Sequence, residues 1–179
     1  DGQVTGLNPA TVTIAITPLN DPRLFTAGPT WTVLEDAGAQ TVNSWATGID
    51  DGDPEVTQAL SFEITANSNA ALFSVAPAVS PTGALSYTPA ANANGSATIT
   101  LRLNDDGGNA NGGVNQSATQ TFTITVTAVN DAPAFTAGPN QTVDEDAGAQ
   151  VVSPWATAIS AGPPDESGQA VSFEVSNNS

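Results

Sequence analysis

Apolar and polar residues alternate strictly along several short stretches of this chain. Thr121-Phe122-Thr123-Ile124-Thr125-Val126-Thr127 sets Phe122, Ile124 and Val126 on one face and threonine on the other. A two-residue period is that of a strand with one buried face. Thr11 to Thr17 repeats the pattern with Val12, Ile14 and Ile16 inward. Leu60, Phe62 and Ile64 alternate likewise, as do Ala97, Ile99, Leu101 and Leu103. No stretch shows a helical period, and 16 Gly and 13 Pro punctuate the runs as turns. The spacing predicts seven strands: A near 24–34, B near 40–47, C near 59–66, D near 72–76, E near 84–88, F near 96–104 and G near 117–127. Trp45, Phe62, Phe73, Tyr87, Ile99, Leu101 and Phe122 are the expected core.

The pattern also returns. Phe25-Thr26-Ala27-Gly28-Pro29 recurs as Phe135-Thr136-Ala137-Gly138-Pro139, and Trp45-Ala46-Thr47 as Trp155-Ala156-Thr157, each 110 residues later. Glu35-Asp36-Ala37-Gly38-Ala39-Gln40 recurs as Glu145-Asp146-Ala147-Gly148-Ala149-Gln150 at the same offset. A period of that length is a whole small domain. Seven short strands in it predict an all-β fold of tandem seven-stranded Greek-key β-sandwiches, of the immunoglobulin-like kind. The offset divides the chain into 1–20, the last strand of a preceding repeat; 21–130, a complete repeat; and 131–179, the first three strands of a following one. Neither end piece closes a sandwich alone. Flanking sequence, or strand exchange with identical chains, is expected to complete them. Trp31 does not recur, since Gln141 stands in its place, and is read as a surface aromatic.

Charge changes the picture. Among 179 residues there are 18 Asp+Glu, 2 Lys+Arg and no His or Cys, a net charge of −16. This excess repels nucleic acid and anionic membranes, and no apolar run is long enough to cross a bilayer. Without Cys, a disulfide scaffold is excluded. The lack of His, Cys and Lys removes the usual bases, nucleophiles and Schiff-base formers, so no catalytic residue is assigned and no enzyme is expected.

The acids cluster in loops. An up-and-down strand count sends the AB, CD and EF loops and the downstream linker to one end of the repeat. The upstream linker and the BC, DE and FG loops go to the other. Glu35 and Asp36 of the AB loop then share an end with Asn130 and Asp131 of the linker, facing Asp165 and Glu166 of the next BC loop. At the opposite end, Asn20 and Asp21 meet Asp50, Asp51, Asp53 and Glu55 of the BC loop and Asp105 and Asp106 of the FG loop. Glu145 and Asp146 repeat the AB-loop pair. Crowded carboxylates repel unless a cation intervenes. Calcium takes six to eight oxygen ligands in irregular geometry, whereas zinc and copper favour the absent His and Cys. Calcium at these junctions is expected, against the alternative of plain solvated acidic turns.

The arrangement resembles cadherin repeats, and more closely the cadherin-like repeats of large bacterial surface proteins and adhesins. Val129-Asn130-Asp131-Ala132-Pro133 is similar to their repeat-boundary motif, with Leu19-Asn20-Asp21-Pro22 as a variant. Asp144-Glu145-Asp146 and Leu34-Glu35-Asp36 are similar to the acidic motif after their first strand. The resemblance implies calcium held between successive repeats. The EF loop, Ala90-Ala91-Asn92-Ala93-Asn94-Gly95, has no acid where animal cadherins carry two, which implies fewer or weaker ions. The expected work is therefore a stalk, fibre or adhesin at the cell surface or outside the cell, its partners being neighbouring repeats. Two alternatives stand beside it. One is a filament or sheath of identical chains joined by strand exchange. The other is a glycan- or cell-surface-binding module using Trp31 or the FG loop at 105–116. Asn94-Gly95-Ser96, Asn115-Gln116-Ser117 and Asn140-Gln141-Thr142 match the N-glycosylation pattern, which an Asn/Thr-rich chain also produces by chance.

Overall fold

The computed structural model describes residues 11–54 and 56–177. The chain is all-β: strands carry the regular structure, and the only helical segments among these residues are short 3₁₀ turns. A four-stranded sheet has the order β2 (Trp31–Leu34), β9 (Gln120–Thr127), β8 (Gly95–Asn104), β5 (Ser61–Asn67). A three-stranded sheet has the order β3 (Gln40–Val42), β7 (Leu85–Pro89), β6 (Phe73–Val79). Two further pairs, β1 (Leu24–Thr26) with β4 (Thr47–Asp50) and β10 (Ala134–Thr136) with β11 (Thr157–Ser160), form small antiparallel ladders. The arrangement is consistent with a β-sandwich.

The alternation in β8 and β9 builds one wall of the core. Ala97, Ile99, Leu101 and Leu103 are fully buried, as is Ile124 between Phe122 and Val126. Phe73, Val79, Leu85 and Tyr87 supply the facing wall from β6 and β7. Ring contacts fill the core: Trp45 lies 4.3 Å from Phe122, and within the second wall Phe73 meets Tyr87 edge-on at 5.7 Å. Burial pushes the Tyr87 phenol up to about 12, so it stays neutral throughout the physiological range. Phe62 packs against this core while remaining partly exposed.

The recurring Phe-Thr-Ala-Gly-Pro and Trp-Ala-Thr motifs form one corner. The Trp45 indole N–H donates to the Pro29 carbonyl at 3.1 Å, and Trp155 donates to Pro139 at 3.1 Å. A Cβ on Gly28 would overlap the Trp45 backbone and indole, and Gly138 stands in the same relation to Trp155. Glycine is required here because the ring closes onto the backbone. The ladder registers also recur, Leu24 opposite Asp50 and Thr26 opposite Thr47, then Ala134 opposite Ser160 and Thr136 opposite Thr157.

The strands depart from the expected bounds in three places. Strand A is two pieces: β1 pairs antiparallel with β4, whereas β2, after Gly28-Pro29, pairs parallel with β9. Proline carries no N–H for a ladder, so the break falls there. Strand B likewise divides into β3 and β4. The stretch Thr11–Thr17 forms no ladder, and Val12, Ile14 and Ile16 are at least 80% exposed, because no described strand offers them a partner. Trp31 also differs from its reading as a surface aromatic, since it packs partly buried against the core from β2. Trp155 copies Trp45 in sequence, yet it is 42% exposed where Trp45 is 3% exposed. The described part of its segment lacks the second wall that covers Trp45.

Candidate functional site

Two acidic clusters lie at opposite ends of the 21–130 unit. At the upstream end, the linker, BC loop and FG loop interlock around Asn20. Its amide donates to Asp105 Oδ1 (3.3 Å), Gly108 O (2.9 Å) and Val114 O (3.1 Å). Its Oδ1 accepts from Gln58 Nε2 at 2.8 Å. Gln58 Nε2 also donates to Asp53 Oδ2 (2.8 Å), and Asp51 Oδ2 accepts the Gln58 backbone N–H (3.0 Å). Asp106 accepts from the Ala59 N–H at 2.9 Å, which ties the FG loop to the start of β5. Arg23 is buried in this cluster, ion-paired to Asp105 and donating to Val114 O and to Asn20 Oδ1. Sequence reasoning passed over both Arg23 and Gln58. The available signal was that Arg23 is one of two cations in the chain.

At the downstream end, Glu35 is 1% exposed at the end of β2. Its own N–H donates to Thr127 O (3.1 Å), and its Oε1 accepts the Val129 N–H (2.7 Å). Asn94 of the EF loop donates to Asp165 Oδ2 (3.1 Å) and, at 3.4 Å, to Glu35 Oε2. Glu166, in the 3₁₀ turn Pro164–Glu166, is 5% exposed and accepts the Asp131 N–H on Oε1 at 2.7 Å. Gly162 lies so close that a Cβ there would overlap the Glu166 carboxylate. The AB loop, EF loop, linker and next BC loop are thus linked by side-chain hydrogen bonds.

Two oxygens in this second cluster, Asp131 Oδ2 and Glu166 Oε2, are buried without a hydrogen-bond donor. Buried carboxylate oxygens are normally satisfied, so these two have capacity to spare. The Asp131 carboxyl is pushed above the ordinary aspartate value, first by desolvation, then by the charges of Asp36, Glu166, Glu35 and Asp165. All five groups carry oxygen donors suited to a hard cation, and none suits a soft one. As they stand, no three acids among the described residues surround one point closely enough to hold an ion.

The sign of the Asp131 shift has a measurable consequence. A carboxyl whose pKa is higher folded than unfolded favours the folded junction when protonated. That contribution is lost as pH rises through the folded pKa. Acidification into the carboxylate range is therefore expected to tighten the cation-free downstream junction. A carbon-detected NMR titration of Asp131 should place its midpoint above the ordinary value of about 3.9. A midpoint at or below that value contradicts the crowding.

The remaining candidates are not gathered. Asp21 is exposed, and Asp50, the exposed last residue of β4, accepts the Gly52 N–H at 2.7 Å. Asp144, Glu145 and Asp146 are exposed in a turn closed by the Ala147 N–H on Asp144 O. Glu55 lies outside the described residues. Its counterpart is Glu166 once the offset lengthens to 111, as it has by Gln58 and Gln169. Comparison of the chain with protein-family models and with curated proteins gave no match.

Proposed function

We propose that the chain is a structural segment of an extracellular stalk, fibre or adhesin, built of tandem seven-stranded Greek-key repeats. Calcium at the downstream junction stiffens it. The reading rests on one observation: carboxylates from three separate segments converge there, with two buried oxygens lacking donors. Calcium would supply a divalent charge that neutralises several carboxylates at once. Glu35, Asp36, Asp131, Asp165 and Glu166 would hold it. Since they do not yet surround one point, binding draws the loops together and fixes the interdomain angle. Asn94 and the Glu35–Val129 hydrogen bond orient two of the carboxylates beforehand. The lack of His, Cys and Lys in the sequence supports a non-enzymatic reading.

Calcium titration of the chain, followed by calorimetry and small-angle scattering, tests it. The expected result is saturable binding, a narrower distribution of interdomain angles and a higher melting temperature. Asp131→Ala should weaken binding at least tenfold and leave the 21–130 unit folded. Unchanged scattering and melting on adding calcium or chelator would sink the reading. A second reading, assembly of identical chains, is favoured by the open apolar alternation of Val12, Ile14 and Ile16 and by the exposed Phe135, Phe173 and Val175. Light scattering over a concentration series distinguishes it, because assembly raises the mass without calcium.

A further inference from the structure

The upstream cluster differs from the downstream one in what neutralises it. Arg23 is 1% exposed, and a buried guanidinium survives only where it is paired and hydrogen-bonded. Burial pushes its pKa down while the Asp51 charge opposes that shift. Arginine starts so high that it remains a cation. Its donors reach three acceptors on two segments: Asp105 and Val114 O of the FG loop, and Asn20 Oδ1 of its own linker. The acids around it are answered by protein donors as well. Asp51 and Asp53 accept from the Gln58 backbone and side chain, Asp105 from the Gly107 N–H (2.9 Å) and Asp106 from the Ala59 N–H. The residue 110 positions on is Pro133, which carries no charge. Both ends keep buried polar atoms without a hydrogen-bond partner, Arg23 Nε and Gln58 Oε1 upstream and Asp131 Oδ2 and Glu166 Oε2 downstream, but only the downstream carboxylate oxygens have neither a hydrogen bond nor a cation beside them.

We infer that Arg23 is the resident cation of the upstream cluster, holding the place a divalent ion would take, so that this end of the 21–130 unit closes without calcium. The contrast between the two ends rests on the calcium reading above; the role of Arg23 does not. A divalent ion entering the upstream cluster would have to approach a guanidinium already paired with Asp105, so like-charge repulsion adds to the cost of displacing Asn20 and Gln58. The two joints of one repeat then respond differently to the same solution: one is set by sequence, the other by calcium concentration.

Amide NMR of the whole chain tests this, with calcium chloride as the titrant. In the unaltered chain the Ala59, Gly107 and Val114 amides are expected to hold still while those of Val129 and Asp131 shift. In Arg23→Ala the three upstream amides should begin to respond, and calorimetry should register an added binding event. Arg23→Lys, which keeps the charge, should stay silent upstream. Upstream shifts in the unaltered chain at affinity within tenfold of the downstream site overturn the inference, as does a folded Arg23→Ala with no upstream response. If Arg23→Ala does not fold, the upstream amides of the unaltered chain decide alone. Silence at Val129 and Asp131 in the unaltered chain counts against the calcium reading instead, and the upstream amides still judge Arg23.

Discussion

Trp45→Ala is expected to destabilise the 21–130 unit by about 3–5 kcal/mol, enough to unfold a domain of ordinary stability. The indole is 3% exposed, packs at a tilt against Phe122 at 4.3 Å and donates to the Pro29 carbonyl. Truncation removes the buried ring, leaves a cavity between the two walls and strands that carbonyl. Gly28, which the indole covers, has no side chain to fill the space. The matched change Trp155→Ala should cost under about 1 kcal/mol, since a half-exposed ring has little burial to lose. Urea unfolding of both variants, followed by far-ultraviolet circular dichroism, measures the difference. Equal losses at the two positions would mean that Trp155 is covered in solution as fully as Trp45.

Glu35→Ala is expected to cost about 2–3 kcal/mol, which is large for an acid in so acidic a chain. The carboxylate is buried and accepts the Val129 N–H at 2.7 Å, a charge-assisted bond that fastens the end of β9 to the end of β2. Alanine would leave that N–H without its acceptor. Glu35→Gln keeps an oxygen in place and should recover most of the stability while removing one negative charge from the junction. Glu145→Ala, at the exposed repeat of the same position, should stay within about 0.5 kcal/mol of the unaltered chain. Hydrogen exchange at the Val129 amide gives a local check: protection should fall in Glu35→Ala and persist in Glu35→Gln. Unchanged stability in Glu35→Ala would show that net charge, rather than this bond, governs the loop.

The strands were legible because their burial is one-sided. Each buried residue of β8 and β9 occupies the position that alternation marks, and the Gly/Pro runs fall in the connections. The divisions of strands A and B were not legible. A residue's apolar face says which way it points, and not which neighbour takes its N–H, so the change of partner between Thr26 and Trp31 left no trace beyond Gly28-Pro29. Segment 11–17 shows the converse. Its alternation marks a strand, yet a pattern cannot supply the partner that makes one. At the clusters, acid spacing located the loops that meet, but the neutral and basic groups binding them together, Asn94, Gln58 and Arg23, carry no spacing of their own. Charge scarcity was the only pointer to Arg23.

The parallel pairing of β2 with β9 bears on how the unit carries load. Both strands run from the upstream end to the downstream end, Trp31 beside Ile124 through Leu34 beside Thr127. Tension on the chain enters near Asp21 and leaves near Asn130. It therefore pulls β2 back along its axis and β9 forward along its own. The ladder bonds between them are loaded in shear, all at once, instead of being peeled one after another. Glu35 extends the same seam by its bonds to Thr127 and Val129. Under such a pull the β2–β9 seam is met after the β1–β4 ladder, which lies between Asp21 and β2 on the load path.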